Sequence, residues 1–295
     1  MKSAPTPESA DMRAPRFMQI PFLIVLVASA IAGAQTSVEV EKRIAQLPAQ
    51  ERVYERYRYW LTTQPVELQQ SPDRLIKYRE YLKGAGFGET EIESQLQLLK
   101  EQSRRLEVER WNRILTAESP RFNTRPNAFL VEMVKGRNPG MALDVGMGQG
   151  RNAIWLAQQG WDVTGFDPAE KAVALARHNA EKLGLKLATE VKGEEEFNFG
   201  ENRWNLILLS YVGARGLSEK VQRALKPGGV VVIEGFHRDA TRGRSIGGAV
   251  VFDPGELPAM FPRLRIVRYE EPIGVADFGQ ERVRLVRLCA EKPVE

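Results

Sequence analysis

The pattern of hydrophobic and polar positions divides the chain into two stretches with different rules. Over residues 37–116 apolar side chains recur at helical spacing in a charged, glutamine-rich background. Ser71-Pro72-Asp73 supplies an N-cap, a first-turn proline and an acidic first turn. The helix they open should stop at the Gly84-Ala85-Gly86-Phe87-Gly88 break. A second, long helix is expected from Glu89, with Ile92, Leu96, Leu99 and Leu106 on one apolar side and Trp111 and Leu115 extending it. Tyr54, Tyr57, Arg58 and Trp60 are packing positions on an earlier helix. Such spacings are what packed helices require, and they assign no chemistry to this region.

After turn signals at Ser119-Pro120 and Asn138-Pro139-Gly140, short apolar strands alternate with helical stretches. Strands are expected at 142–145, 162–166, 187–191, 206–209 and 230–234, with helices at 152–159, 169–183 and 218–225. Gly160 and Gly184 close the first two of those helices. This alternation predicts a parallel sheet with helices on both faces. Segments 264–269 and 283–290 have only a loop between them, which predicts an antiparallel hairpin. The expected architecture is an α/β, doubly wound sheet of seven strands with a C-terminal antiparallel hairpin. It occupies residues 119–295 and follows a small helical region at 37–118.

The N-terminus carries a separate signal. Lys2, Arg13 and Arg16 precede an apolar run at 20–32, and Ala32-Gly33-Ala34 has the small-x-small form of a cleavage site. The run is short for a membrane span of about 20 residues. Residues 1–34 are therefore expected to act as a signal peptide that leads to export, with Ala28-Ser29-Ala30 as a second possible cut. An uncleaved anchor tethering the chain to a membrane, or a cytoplasmic protein whose start lies at Met18, are the alternatives. No stable membrane span is expected once such a signal is cleaved.

Composition narrows the chemistry. A single cysteine, Cys289, excludes an internal disulfide and a cysteine-based zinc site. With His178 and His237 as the only histidines, no metal centre is expected. The net charge of +4 comes from scattered rather than massed lysine and arginine, so no nucleic-acid partner is expected. Oligomeric state is left open.

The chemistry centres on Ala142-Leu143-Asp144-Val145-Gly146-Met147-Gly148-Gln149-Gly150-Arg151-Asn152, a buried strand running through alternate glycines into a helix. Such a turn lets backbone N–H groups approach a ligand and aims a helix N-terminus at it. Asp144 would repel a pyrophosphate but suits a cation or a hydroxyl-rich ligand. Arg151 stands where the dinucleotide fingerprint needs a third glycine or alanine, and no Gly-Lys-Ser/Thr follows as in a P-loop. The turn fits a nucleoside ligand without phosphates. Asp167, about 20 residues beyond the glycines, ends the next strand where an acid can accept both ribose hydroxyls. The alternative is a helix N-cap, since Pro168 follows, but the spacing from the glycine turn favours the ribose.

On these residues the chain resembles the class I S-adenosylmethionine-dependent methyltransferases, with the likeness covering about residues 127–295. The stretch 142–167, with Gly150-Arg151-Asn152 after the turn, looks most like the branch of tellurite-resistance and thiopurine-type enzymes. The resemblance implies a Rossmann-like fold, S-adenosylmethionine as cofactor and a small-molecule methyl acceptor. It places Asp144, Gly146, Gly148 and Gly150 at the methionine part of the cofactor, and Asp167 at the ribose. It places Glu194 or Glu195 at the adenine, and Ser210 and Tyr211 at the transfer site. Lys226-Pro227-Gly228-Gly229 matches the family's turn into its fifth strand. Met147 departs from the usual small residue and should point into the core.

Methyl transfer can proceed by holding nucleophile and methyl carbon together, so a base is needed only for an acceptor that arrives protonated. His237, after the fifth strand, is the candidate base or a satisfied polar residue at a strand end, and His178 is a surface residue. Arg238, Arg242 and Arg244 form either a basic lid for an anionic acceptor or a solvated loop. Arg125-Pro126-Asn127 could close over the cofactor. The rival functions are a nicotinamide-dependent oxidoreductase, disfavoured by Arg151 and Asp144, and a catalytically lapsed binding or interaction module.

Overall fold

Strands whose side chains are apolar on both faces must be covered on both, and here helices do so. The computed structural model describes residues 37–244 and 246–294. The expected signal peptide at 1–34 lies outside the described residues. The sheet is built from β1 (Met141–Val145), β2 (Asp162–Asp167), β3 (Ala188–Val191), β4 (Trp204–Ser210) and β5 (Leu225–His237). It continues through β6 (Val251–Phe252), β7 (Arg265–Glu270), β8 (Ile273–Val275) and β9 (Arg282–Glu291). The path runs β3-β2-β1-β4-β5-β9-β7, parallel through β5, with β9 antiparallel to both β5 and β7.

Alternation along β1 distributes its side chains between two cores. Leu143 and Val145 join Phe166, Ile207 and Leu209 on one face, and Ala142 joins Val163, Leu206 and Leu208 on the other. The second face is covered by α6 (Ala128–Val134) and α7 (Arg151–Gln158) through Phe129, Leu130, Ala153 and Leu156. The first is covered by α9 (Ser218–Ala224) and α10 (Glu256–Met260) through Val221 and Leu257. The remaining sheet helix, α8 (Glu170–Lys182), packs Val173 and Ala176 against Met147. From β1 the chain proceeds outward to β2 and β3, then returns to β4 on the opposite side of β1. That reversal opens a crevice at the carboxyl ends of β1 and β4, the place where ligands bind in open α/β sheets.

Among the described residues nine strands stand where the sequence pattern predicts seven. The two additions, β6 and β8, are only 2 and 3 residues long, too short to leave a period in the sequence. The antiparallel pair of β7 and β9 is present, but β8 occupies part of the expected loop and pairs with β9. β5 starts five residues early, because Leu225 already pairs with Trp204 ahead of the glycine turn.

The N-terminal region forms α1 (Ser37–Ala45), α2 (Ala49–Thr62), α3 (Val66–Gln70), α4 (Arg74–Gly84) and α5 (Glu89–Leu115). Its own core contains Tyr54, Tyr57, Trp60, Tyr78, Leu82, Ile92, Leu96, Leu99 and Leu106. Tyr78 lies 5.1 Å from Tyr57 and 5.0 Å from Trp60, ring centre to ring centre. α4 starts at Arg74, later than Ser71-Pro72-Asp73 implies. The Ser71 hydroxyl oxygen accepts from the Asp73 N–H (3.1 Å), closing a turn before the helix, so Pro72 stays outside it. The end of α5 departs from its own region: Trp111 and Leu115 pack against the sheet domain.

Candidate functional site

The turn after β1 works only with glycine. Gly146, Gly148 and Gly150 have φ of 63°, 55° and 81°, in the left-handed region that L side chains resist. A Cβ at Gly146 would come within 2.6 Å of Val212 Cγ2, and one at Gly150 within 2.9 Å of Ala176 Cβ. Met147 turns inward as expected, 4% exposed, and its sulfur fills the space left by the missing side chain of Gly165. Its N–H donates to the Phe166 carbonyl (3.0 Å), tying the turn to β2.

Asp167, the last residue of β2, anchors the same turn. Its Oδ2 accepts from the Gly148 N–H (3.0 Å) and its Oδ1 from the Ala169 N–H at the head of α8 (2.8 Å). Burial pushes its carboxyl above the usual range, opposed by those two donors. Asp167 thus closes a turn ahead of α8, whose N-cap is Ala169, and a ribose would share oxygens already engaged with the backbone. Asp144 lies beneath the turn, wholly out of water, and does not line the cleft. Its Oδ2 has no hydrogen-bond partner, and burial pushes its carboxyl up to about 7 against the opposing charge of Arg151.

The cleft above the turn is lined by Gly146, Gly148, Arg151 and Ser210 from the sheet domain and by Leu115 and Phe122 from the preceding segment. Ser210 Oγ accepts from Arg151 Nη2 (3.2 Å). Tyr211 follows at φ 58°, a strained backbone for an aromatic residue. Its hydroxyl donates to Glu234 Oε1 (2.9 Å) and accepts from the Asp277 N–H (3.0 Å). Burial and the two neighbouring carboxylates hold that hydroxyl far above the usual range.

Tyr211 thus belongs to a buried polar network. Asn127 Nδ2 donates to Glu234 Oε1 (2.7 Å) and to Asp277 Oδ2 (2.8 Å). Arg287 Nε meets Glu234 Oε2 at 2.6 Å, and Arg151 Nη2 meets Asp277 Oδ2 at 2.8 Å. Asn127 Oδ1 also caps α6 by accepting from the Leu130 N–H (2.9 Å). Asn127 and Glu234 left faint signals in the sequence, as a break before a helix and a carboxylate ending a buried strand. Asp277 left none, because it comes from the irregular loop between β8 and β9.

The remaining candidates lie apart. Glu194 and Glu195 are exposed on the turn after β3. Their neighbour Glu196 makes the tertiary contact there, to Arg104 of α5 (2.9 Å). Phe197 stacks on Phe166 at 4.2 Å. His237 is 4% exposed and does not line the cleft. Its Nδ1 accepts from the Asp239 N–H (3.1 Å), leaving Nε2 without a hydrogen bond, 3.5 Å from Glu271 Oε2. A base at this position would have to act through Nε2. His178 is exposed. The arginines at 238–244 are paired: Arg238 with Asp253 and Glu67, Arg242 with Asp239, and Arg244 with Glu281. An anion-attracting lid finds little support in that arrangement.

Residues 142–229 match the family described as a methyltransferase domain. Over 85 residues the chain is 34% identical to the probable S-adenosyl-L-methionine-dependent methyltransferase TehB of Haemophilus influenzae, covering 28% of this chain and 30% of that protein. An uncharacterized methyltransferase of Synechocystis is 33% identical over 110 residues, which cover 34% of this chain and 50% of that one. The matched stretch thus spans 30% to 50% of the length of these curated relatives. Among solved structures, a protein described by the conversion of a disulfide bond into a thioacetal group during echinomycin biosynthesis superposes with a TM-score of 0.52 at 21% identity. That match covers 63% of this chain and 93% of the other and shows a shared fold.

Proposed function

Since the chain carries a class I S-adenosylmethionine-dependent methyltransferase domain of the TehB-like branch, we propose that it transfers a methyl group from S-adenosylmethionine to a small-molecule acceptor. The observation that carries this reading is the left-handed glycine turn pinned by Asp167 at the point where the sheet reverses direction. The residues present fit a phosphate-free adenosyl ligand. Side chains are missing where the backbone must be approached, and no Gly-Lys-Ser/Thr follows the turn to cradle a phosphate. Gly146 and Gly148 would hold the methionine part and Asp167 the ribose. Glu194 or Glu195 would face the adenine, and Ser210 and Tyr211 the transfer side. When bound, the cofactor supplies an electrophilic sulfonium methyl group.

The protein's own contribution is positional. Asn127, Tyr211, Glu234 and Asp277 bond one another and so hold the ends of β4 and β5 in one geometry. The Tyr211 hydroxyl has both its donor and acceptor capacity engaged, which suits it to orientation and not to proton transfer. An acceptor that arrives as a nucleophile needs nothing more than this placement.

Isothermal titration of the purified protein tests the reading. S-adenosylhomocysteine should bind and NAD should not; the reverse result would sink it. The Asp167→Ala protein should remain folded and bind S-adenosylhomocysteine at least about tenfold more weakly, about 1.4 kcal/mol. Unchanged affinity would leave Asp167 as a tie of the turn alone. Export through residues 1–34 remains part of the proposal, and mass spectrometry of the mature N-terminus decides it: an intact N-terminus would remove it.

A further inference from the structure

Three contacts along one face of α5 follow the outline of the cofactor site, in order. Arg104 pairs with Glu196 on the turn after β3, the side assigned to adenine. Two turns on, Asn112 Oδ1 accepts from the Lys171 N–H (2.9 Å), at the head of α8 beside Asp167, the side assigned to ribose. At the end, the Leu115 side chain sits over the glycine turn, with Cδ2 3.2 Å from where a Cβ on Gly148 would stand. From residue 104 to 115 the helix rises about 16 Å. It therefore runs the length of the site rather than touching one end.

The contact is an apolar seal. Leu115 is 7% exposed and packs with Phe122, Ala169 and Ala172, while Trp111 meets the Phe278 ring edge-on at 6.1 Å. Phe278 in turn stacks on Phe122 at 5.4 Å. This seal stands on the glycine turn, where the methionine part of the cofactor is assigned. The helices behind the seal have a core of their own, built on Tyr57, Trp60, Tyr78 and Leu96, so α5 can lift without that core being lost. The second attachment of this region is through α3: Gln69 Oε1 accepts from the Gly248 N–H, Glu67 pairs with Arg238, and Val66 joins a cluster with Tyr211.

We propose that the C-terminal half of α5 is an autoinhibitory plug of the cofactor cleft, which must lift before an adenosyl ligand can enter. The identity of the ligand rests on the methyltransferase reading; the closure does not. A closed plug lowers the apparent affinity by the fraction of molecules that are open. Loosening it should tighten binding while weakening the fold, two effects that ordinary core damage does not combine.

The test uses the full-length protein, S-adenosylhomocysteine as probe, and two variants. Leu115→Ala removes the side chain over Gly148, and Asn112→Ala removes the cap on α8 should the first variant fail to fold. Each should bind S-adenosylhomocysteine about tenfold or more tightly than the parent, with a lower melting temperature without ligand. Hydrogen exchange at the amides of 146–150 should be faster, and that in β4 unchanged. Folded variants with equal or weaker affinity and unaltered exchange at the turn would overturn the plug while leaving the ligand assignment intact. If neither parent nor variants bind the probe at millimolar concentration yet exchange at the turn still accelerates, the plug stands and the methyltransferase reading falls.

Discussion

The carboxyl of Asp144 lies out of water with one oxygen unpartnered, so the native state holds its proton more tightly than the unfolded chain does. Its folded value near 7 lies above the unfolded value of about 4. The stabilising contribution is therefore complete below the unfolded value and is lost as pH rises through 7. Burial also raises Asp167 and Glu234, which act in the same direction. Urea denaturation should show the protein losing about 2–3 kcal/mol between pH 5 and pH 8 through Asp144. Asp144→Asn should flatten that slope, and an unchanged slope would mean that the carboxyl is ionised at neutral pH. Tyr211 makes a second prediction. Tyr211→Phe leaves the Asp277 N–H without a bond and removes one of the two donors to Glu234 Oε1, and should cost about 1–3 kcal/mol of stability by the same measurement. A loss below about 0.5 kcal/mol, the range of ordinary surface changes, would show that the network tolerates the gap.

At the scale of elements, length and regularity decided what could be read from the chain. α5 was legible at 27 residues because its apolar positions repeat over seven turns, and β1 and β4 because each is a short, largely apolar run bounded by turn residues. β6 and β8 were not, since 2 or 3 residues cannot express a period. α5 also shows the limit of periodicity. Trp111 and Leu115, expected to extend the side of Leu106, stand about 140° and 180° around the helix from it at about 100° per residue, and so they cover the sheet domain while Leu106 packs into the helical core. A chain beginning at residue 119 keeps every described strand but uncovers Phe122, Ala169, Ala172 and Phe278. It should be less soluble because a contiguous apolar patch is laid open. Light scattering and gel filtration against the full-length protein would show this; equal solubility would mean that the patch is re-covered.

For the molecule as a whole, the positive charge carries little weight, because most arginines near the site are paired with a carboxylate of another element. The sequence alone determined the parallel sheet, its C-terminal antiparallel pair, the glycine turn and the acid at the end of β2. Each is encoded locally: alternation, turn residues and a fixed offset between neighbouring strands are properties of contiguous stretches. Only the tertiary structure decided that Asp167 is bonded to the turn, and that Asn127 meets Asp277 and Glu234 across 150 and 107 residues of chain. It also decided that Leu115 lies on Gly148. Those contacts join residues from different elements whose side chains carry no mark of their partners. They exist because packing the helices on the sheet buries polar groups that must then find one another, and because an apolar helix end must be covered by whatever surface it meets.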